Sequence, residues 1–157
     1  MGSASDAPTM EEARIALRDL GILCEMSVAS AHRSPERAHR LAATAEDRGL
    51  EVLIVGAGGA AHLAGVMAAN CILPVIGVPL EGSALHGMDA LLATVQMPAG
   101  VPVATMAIGK AGAKNAAILA AQILARKDPA VADRLRQYKQ AMAAGVEESS
   151  RKIEAGS

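Results

Sequence analysis

Three short stretches of the sequence carry the side chains that could bind an anion or move a proton: residues 2–6, 30–33 and 56–62. In the first stretch, Ser3, Ser5 and Asp6 offer two hydroxyls and a carboxylate directly before a predicted helix. Backbone N–H groups at the start of a helix bind anions, so this stretch suits a phosphorylated ribose. The alternative is that these residues only cap the helix, which is the commoner role of Ser and Asp there.

The second stretch places an imidazole next to a guanidinium, at His32 and Arg33, shortly after Ser30. A guanidinium binds phosphate or carboxylate, and an imidazole exchanges a proton near neutral pH. This pair therefore suits acid–base chemistry on an anionic substrate. The alternative is a solvated surface pair with no role in chemistry. His39 and His86 lie in a predicted helix and a long loop, and we interpret both as structural.

The third stretch follows a short apolar run, residues 52–55, and contains Gly56, Gly58 and Gly59. An apolar run without polar alternation is typical of a strand covered on both faces in a parallel sheet. Glycine at the carboxyl end of such a strand lets backbone N–H groups approach a ligand closely, and we predict a ligand there. His62, at the start of the next predicted helix, either belongs to this site or is an ordinary structural histidine.

The glycine stretch also fits the spacing of the dinucleotide-binding fingerprint, through Gly56, Gly58 and Ala61. That fingerprint requires an acidic residue at the end of the next strand, where it holds a ribose hydroxyl. Here the next predicted strand ends in Gly77-Val78-Pro79, so we expect no nicotinamide cofactor. We also expect no metal site, because the His, Cys and carboxylate residues show no ligand spacing.

Alternating helices and short apolar strands must position these three stretches. The hydrophobic pattern predicts helices over residues 7–20, 35–48, 60–70, 88–95, 113–125 and 129–146. It predicts strands over residues 22–29, 52–55, 74–78 and 101–105. The expected fold is a three-layer α/β/α domain with a parallel, flavodoxin-like or Rossmann-like sheet and a C-terminal helix. We predict one domain over residues 1–146 and a polar, frayed tail over residues 147–157.

Composition narrows the classes of partner. A formal net charge of −1 and the lack of a basic run argue against nucleic acid and anionic membranes. The sequence has no apolar stretch of spanning length and no signal peptide, so we expect a cytoplasmic protein. Cys24 and Cys71 lie in apolar surroundings, and we predict that both are buried free thiols. A hydrophobic content of 52% and a mean hydropathy of +0.28 favour an oligomer that buries part of its surface.

The three stretches together resemble the class I N5-carboxyaminoimidazole ribonucleotide mutases of purine biosynthesis. The motifs are Gly-Ser-x-Ser-Asp at 2–6, Ser-Ala-His-Arg-Ser-Pro at 30–35 and Gly-Ala-Gly-Gly-Ala-Ala-His-Leu at 56–63. Further matching blocks lie at 73–79, 95–98, 100–105, 107–109 and 115–117. The resemblance therefore covers about residues 1–126, in order along the chain.

The resemblance implies an isomerase that moves a carboxylate from the exocyclic nitrogen of an aminoimidazole ribonucleotide to ring carbon C4. The reaction would release carbon dioxide and recapture it within the site, without a cofactor. The family also implies a homo-octamer. The alternatives are a direct aminoimidazole ribonucleotide carboxylase, or a non-catalytic nucleotide-binding or scaffold protein of the same fold.

The resemblance also implies roles for the individual residues. His32 matches the proton carrier, and the backbone of Ala57, Gly58 and Gly59 matches the wall of the carbon dioxide pocket. His62 is expected to orient the substrate at the rim of that pocket. The nucleotide-binding positions are matched by Ser3, Asp6 and Arg33, with Ser5 and Ser30 close by.

The sequence departs from the family in two ways. Members usually have an apolar strand inside the sheet before the Gly-Ser stretch, whereas here only Met1 precedes it. Loss of that strand would leave unpaired backbone groups and a hole in the core. The alternatives are a sequence that starts later than in the family, a fold that has compensated, or a weakened sheet. The side chains at Ala64, Val66, Ala90 and Ala93 also differ from the usual ones. These substitutions are expected to alter the wall of the pocket more than its chemistry.

Overall fold

The computed structural model describes residues 1–156, and its sheet contains three parallel strands. They are β1 (Leu53–Gly58), β2 (Val75–Leu80) and β3 (Ala104–Thr105), in the spatial order β1-β2-β3. Strand β1 pairs with β2 from Leu53 opposite Val75 to Gly58 opposite Leu80. Because the strands are parallel, their carboxyl ends lie at one edge of the sheet, where the glycine stretch begins.

Six α-helices surround the sheet within residues 1–156. They are α1 (Ala7–Asp19), α2 (Pro35–Ala43), α3 (Leu63–Ala69), α4 (Met88–Val95), α5 (Gly109–Leu124) and α6 (Pro129–Ala155). A short 3₁₀ helix, Ala4–Asp6, leads directly into α1. Helices α1 and α5 contribute to one core cluster with β2, whereas α2, α3 and α4 contribute to another with β1. The predicted three-layer α/β/α fold with a parallel sheet is confirmed.

The layer formed by α1 and α5 is packed mainly through alanine. Ala13 and Ala16 of α1 and Ala116 and Ala117 of α5 are buried in one cluster with Ile76 of β2. Small side chains let the two helices approach each other and the sheet closely. This packing explains how the chain forms a core without Phe or Trp.

Helix α6 packs on the outside of α5. Leu20, Ala121, Val131 and Leu135 form this smaller cluster, and Tyr138 covers it from one side. Tyr138 is the single aromatic residue of the Phe, Tyr and Trp types in the chain. The helix continues to Ala155, whereas the sequence predicted an end near residue 146 and a frayed tail. Polar residues 147–155 form an exposed helix here, and the predicted tail's last residue, 157, lies outside the described residues.

The predicted strand over residues 22–29 is wrong. This segment has no strand assignment, and Leu23 is fully exposed. A strand needs a neighbour to satisfy its N–H and C=O groups, and the only backbone partner of this segment on the side of the sheet is Met1 among residues 1–156. The predicted strand over 101–105 is likewise reduced to Ala104–Thr105.

Other boundaries also differ from prediction. Helix α2 ends at Ala43 rather than near residue 48, and hydrogen-bonded turns continue to Gly49. Cys24 is exposed and Cys71 half-buried, so the prediction of two buried thiols is wrong although both are free. Cys24 is exposed because no strand covers the segment in which it lies.

A cavity of about 500 Å³ lies between residues 22–29 and β1. Met1, Val55 and Ala29 are among the residues that line it. Of the four substituted positions, Ala64 and Ala90 are buried, Val66 is half-buried and Ala93 is exposed.

Among residues 1–156, no helix is long and apolar enough to cross a membrane.

Candidate functional site

Main-chain hydrogen bonds bring the first two polar stretches to the carboxyl edge of β1. The N–H of Gly2 donates to the carbonyl oxygen of Gly56 at 3.1 Å. The N–H of Ala29 donates to the carbonyl oxygen of Met1 at 2.9 Å. The three stretches are far apart in sequence, but these bonds bring their starting residues together at the carboxyl edge of β1.

The first stretch is held by a capping box around the 3₁₀ helix. The N–H of Ser3 donates to Asp6 Oδ2 at 2.9 Å, and the N–H of Ser5 donates to Ser3 Oγ at 3.3 Å. The Ser5 hydroxyl also donates to Ser3 Oγ, at 2.9 Å. Asp6 therefore fixes the loop. The sequence allowed Asp6 to cap the helix, but its side chain makes no capping hydrogen bond to α1.

The second stretch is closed by two serines four positions apart. Ser34 Oγ accepts from the N–H of Ser30 at 2.9 Å, and Ser30 Oγ accepts from the N–H of Arg33 at 3.1 Å. Ser34 stands at the N-cap position of α2, but its hydroxyl serves the loop and caps no helical N–H. This role of Ser34 was not predicted from the sequence. The i, i+4 serine spacing before Pro35 was the available signal.

The Arg33 side chain is exposed, and its guanidinium makes no hydrogen bond or ion pair within residues 1–156. By contrast, Arg37 is fixed, since its Nε donates to the Val28 carbonyl at 2.8 Å and its second nitrogen to Ser27 Oγ at 2.9 Å. Arg37 therefore braces the segment leading to the loop, whereas Arg33 keeps its donors available for an anion.

The third stretch turns sharply after β1. Gly59 and Ala61 both have left-handed backbone conformations, with φ of +60° and +47°. The N–H of Ala61 donates to the Gly58 carbonyl at 3.1 Å, which closes the turn. A Cβ at Gly58 would lie 3.1 Å from the carbonyl oxygen of Leu80. These constraints set the backbone of residues 57–59 and deliver His62 to the start of α3.

The turn brings His62 into direct contact with His32. His32 Nε2 lies 2.7 Å from His62 Nδ1, and the two rings meet edge to face with centroids 4.7 Å apart and an interplanar angle of 75°. Both residues are exposed. In such a contact one ring nitrogen donates and the other accepts, so the pair shares a single proton on this line. Sequence analysis identified both histidines but did not predict that they touch.

The α-amino group of Met1 is an ionisable group next to the first polar stretch. Burial lowers the pKa of the Met1 α-amino group from its ordinary value of 8.0, and the negative charge of Asp6 partly opposes that shift. The amino group donates to the Ser27 carbonyl at 2.9 Å.

Among residues 1–156, no group of three or more His, Cys, Asp or Glu side chains is arranged to hold a metal ion.

The structure thus brings His32, His62 and the glycine turn together at one edge of the sheet. Ser3, Ser5 and Asp6 are joined to that edge through Gly2, and Ser30 and Arg33 through the loop that carries His32. Within residues 1–156, no side-chain hydrogen bond joins the serine stretch to the histidine pair. The stretches offer hydroxyl and guanidinium groups that can bind an anion and an imidazole pair that can exchange a proton.

Comparison with known proteins shows which family the chain resembles. The family model described as AIR carboxylase matches residues 1–145. Curated relatives with the name N5-carboxyaminoimidazole ribonucleotide mutase match most of the chain. The relative from Pyrococcus horikoshii is 53% identical over 154 residues, which cover 98% of this chain and 86% of the relative.

Two bacterial relatives with the same name are similarly close. The Bacillus subtilis protein is 53% identical over 150 residues, covering 96% of this chain and 93% of its own. The Escherichia coli protein is 50% identical over 141 residues, covering 90% and 83%. Among solved structures, the crystal structure of Treponema denticola PurE matches with a TM-score of 0.86 and 28% identity. That match covers 98% of this chain and 94% of the other.

Proposed function

The chain belongs to the AIR carboxylase family, and from that membership we propose that it interconverts N5-carboxyaminoimidazole ribonucleotide and 4-carboxy-5-aminoimidazole ribonucleotide in purine biosynthesis. The enzyme is an isomerase, because substrate and product contain the same atoms. One observation from the site carries the proposal: His32 lies 2.7 Å from His62, beside the glycine turn at the carboxyl edge of β1.

The first half of the reaction needs a proton on the exocyclic nitrogen. His32 in its protonated form gives that proton to the nitrogen, the bond from nitrogen to the carboxyl carbon breaks, and its electron pair stays on the nitrogen. Carbon dioxide and a neutral aminoimidazole result. The amino group pushes electrons into the ring, so C4 becomes nucleophilic.

The second half needs a base at C4. Carbon C4 attacks carbon dioxide, a carbon–carbon bond forms, and C4 briefly carries both its hydrogen and the new carboxylate. His32, now neutral, removes that hydrogen as a proton and restores the aromatic ring. One residue therefore serves as the acid and then the base, and it ends the cycle in its starting state.

The other residues bind the substrate and enclose the released carbon dioxide. The exposed Arg33 guanidinium and the hydroxyls of Ser3 and Ser5 are available to the phosphorylated ribose. The backbone of residues 57–59 lines the pocket that holds the released carbon dioxide, because glycine and alanine leave room beside the main chain. His62 orients the substrate and fixes the His32 ring through their shared hydrogen bond.

The balance of the reaction also bears on cofactors. Protons are the only species exchanged with the protein, and the carboxyl group comes from the substrate itself. We therefore propose that turnover requires no cofactor and no metal. The deciding experiment incubates purified protein with N5-carboxyaminoimidazole ribonucleotide, without ATP, and follows formation of the C-carboxylated isomer.

That experiment also separates the alternatives. A direct carboxylase would act on aminoimidazole ribonucleotide with bicarbonate or dissolved carbon dioxide and would leave the N-carboxylated compound to decompose unassisted. A binding or scaffold protein would retain ligand without turnover. The mutase is supported if the C-carboxylated isomer accumulates at a rate proportional to the enzyme concentration. That rate must also exceed the rate in controls that contain free bicarbonate.

We further propose that the enzyme works as a homo-octamer in the cytoplasm. Support for assembly comes from an apolar surface on and beside α4, here called the α4 patch. Its residues Leu85, Met88, Leu92 and Val95 are 62%, 51%, 53% and 49% exposed. A patch of this kind is typical of a buried subunit contact. The two free cysteines suit a reducing compartment.

A further inference from the structure

The Ser34 hydroxyl makes two hydrogen bonds to the backbone of a single residue, Ser30. Its oxygen accepts from the Ser30 N–H at 2.9 Å, and the hydroxyl donates to the Ser30 carbonyl oxygen at 3.2 Å. The Ser34 N–H donates to the same carbonyl at 2.9 Å. Three hydrogen bonds therefore join the two residues and close residues 31–33 into a turn, here called the histidine loop.

The same hydroxyl takes no part in capping the helix that follows it. A serine before a helix usually accepts from the N–H of the second or third helical residue. Ser34 makes no such bond to α2, which begins with Pro35 and whose Ala38 N–H donates to the Ser34 carbonyl at 3.1 Å. Residues that depart from their usual local role concentrate at functional sites. The departure at Ser34 therefore points to the loop that its hydroxyl closes.

Ser30 extends the effect of Ser34 to the far end of the histidine loop. The Ser30 hydroxyl oxygen accepts from the Arg33 N–H at 3.1 Å. Because Ser34 holds the main chain of Ser30 at both its N–H and its C=O, it also fixes the place from which Ser30 holds Arg33. The half-buried Ala31 packs against the core cluster that includes residues of β1, α2 and α3. The loop is thus fixed at both ends and attached to the body of the domain.

The place of His32 opposite His62 depends on this loop. Within residues 1–156, the side chain of His32 makes one hydrogen bond, with Nε2 at 2.7 Å from His62 Nδ1. The two residues lie on separate segments, since His62 follows the glycine turn at the start of α3. Both rings are exposed, so no surrounding core holds them together. Contact at 2.7 Å therefore requires a fixed main chain on each side, because a mobile loop would oppose it with conformational entropy.

We propose that Ser34 is a positioning residue of the active site. By closing the histidine loop on Ser30, its hydroxyl holds His32 at hydrogen-bonding distance from His62 and holds Arg33 where its guanidinium can meet the anionic substrate. Ser34 touches no reacting atom and acts through these two residues. The inference rests on the proposed function, since it assigns to Ser34 a share in that reaction. Loss of the hydroxyl should therefore impair proton transfer and substrate binding together.

Kinetics of two Ser34 variants test this role. Ser34→Ala removes both side-chain bonds to Ser30 and should lower kcat/KM roughly tenfold, through a lower kcat and a higher KM. Ser34→Thr keeps the hydroxyl and should recover most of the activity. Unchanged kinetics in Ser34→Ala would overturn the proposal, and so would the absence of any recovery in Ser34→Thr.

A matched change at the other end of α2 controls for helix stability. The Thr44 hydroxyl donates to the Arg40 carbonyl, four residues earlier, at 2.8 Å. This bond resembles that of Ser34, but it lies at the C-cap of α2 and closes no loop of the site. Thr44→Ala should lower the melting temperature about as much as Ser34→Ala and leave kcat and KM unchanged. Equal losses of turnover in the two variants would mean that Ser34 acts through the stability of α2, which would overturn the proposal.

Nuclear magnetic resonance of the free enzyme measures the histidine contact directly. The ¹⁵N chemical shifts of the ring nitrogens show which nitrogen of each imidazole carries the proton, and the chain has four histidines to assign. The hydrogen bond between His32 and His62 should fix one tautomer on each ring. We expect these fixed tautomers in the unsubstituted protein, in Ser34→Thr and in Thr44→Ala, and a mixture of tautomers in Ser34→Ala.

This readout separates the positioning role from the reaction itself, because it needs no substrate. If the unsubstituted protein fails to convert N5-carboxyaminoimidazole ribonucleotide, the proposed function falls, whereas the tautomers still report whether Ser34 holds His32. If the protein is active and Ser34→Ala retains both fixed tautomers, the reaction stands and the positioning role of Ser34 is overturned.

Discussion

His32 Nε2 and His62 Nδ1 lie 2.7 Å apart, so the two imidazoles form one hydrogen-bonded unit. His32 uses one ring nitrogen for this contact, which leaves Nδ1 to face a substrate or solvent. Exchange of a proton at Nδ1 therefore need not break the contact with His62. In the proposed mechanism, the contact with His62 holds the His32 ring while its other nitrogen exchanges the proton.

Substitution of His32 by Asn should abolish most turnover and spare binding. Asn retains much of the size and polarity but has no titratable nitrogen, so neither proton transfer can occur. General acid–base groups contribute about 10²–10⁴-fold, and His32 acts in both halves of the reaction, so kcat should fall by at least that range. Steady-state kinetics with N5-carboxyaminoimidazole ribonucleotide and calorimetric titration of the product measure the two effects. His39→Asn, an exposed change in α2, should leave both unchanged.

Substitutions of His62 should separate its hydrogen bond from its ability to titrate. The amide of Asn can stand near the position of Nδ1 and keep a partner for His32, whereas Ala leaves His32 without one. We expect His62→Ala to lose roughly tenfold in kcat/KM and His62→Asn to lose less. If both variants are equally impaired, and as strongly as His32→Asn, then His62 and not the contact carries a proton.

The glycine turn should depend on backbone conformation at Gly59. Gly59 and Gly49 both have positive φ, +60° and +76°, and at neither position would a Cβ meet an atom within 4 Å. Alanine at either site should cost about 1 kcal/mol in the free energy of unfolding, because both force an L-residue into a left-handed conformation. Only Gly59→Ala should lower turnover, since Gly49 lies after α2 and away from the site. Equal effects on turnover would mean that the turn acts through stability alone.

The amino terminus should make stability depend on pH. Burial lowers the pKa of the Met1 amino group below 8.0 in the folded chain, so the unfolded chain binds more protons between the lowered value and 8.0. The free energy of unfolding should therefore rise as the pH increases through that window. Urea unfolding from about pH 6 to about pH 9 measures the slope. N-terminal acetylation removes the charge, and the acetylated chain should lose this contribution.

The α4 patch should govern assembly. Leu92→Glu introduces a charge on a side chain that is 53% exposed in the single chain and would be buried in a subunit contact. We expect a smaller particle by light scattering and a loss of turnover at the same protein concentration. Gln96→Glu adds the same charge just beyond the helix and should leave the particle size unchanged. A stable monomer in the unsubstituted protein would contradict the octamer.

Local patterns in the sequence were sufficient for the elements around the site. The apolar run before Gly56 and the Ser-Pro start of α2 predict a strand and a helix from neighbouring residues alone. The positions of the three polar stretches follow because the carboxyl ends of parallel strands share one edge. The same rule predicts that loops following neighbouring strands, such as the glycine turn, lie at that edge.

Features that depend on distant partners were not predictable in the same way. Residues 22–29 have the composition of a strand, but strand structure requires a neighbour, and among residues 1–156 only Met1 provides one on the side of the sheet. The contact of His32 with His62 joins residues 30 positions apart and depends on the left-handed backbone of Ala61. Nothing local shows that the side-chain oxygens of Asp6 and Ser34 accept from the N–H groups of Ser3 and Ser30.

The aromatic-poor core has a practical consequence for spectroscopy. Tyr138 on α6 is the sole tyrosine and no tryptophan is present, so intrinsic ultraviolet emission of the chain comes from one ring against the α5–α6 cluster. Its fluorescence will report detachment of α6 and remain blind to events at the histidine pair. A tryptophan introduced beside the glycine turn would then be the only indole in the molecule, and energy transfer or quenching there could be read without background.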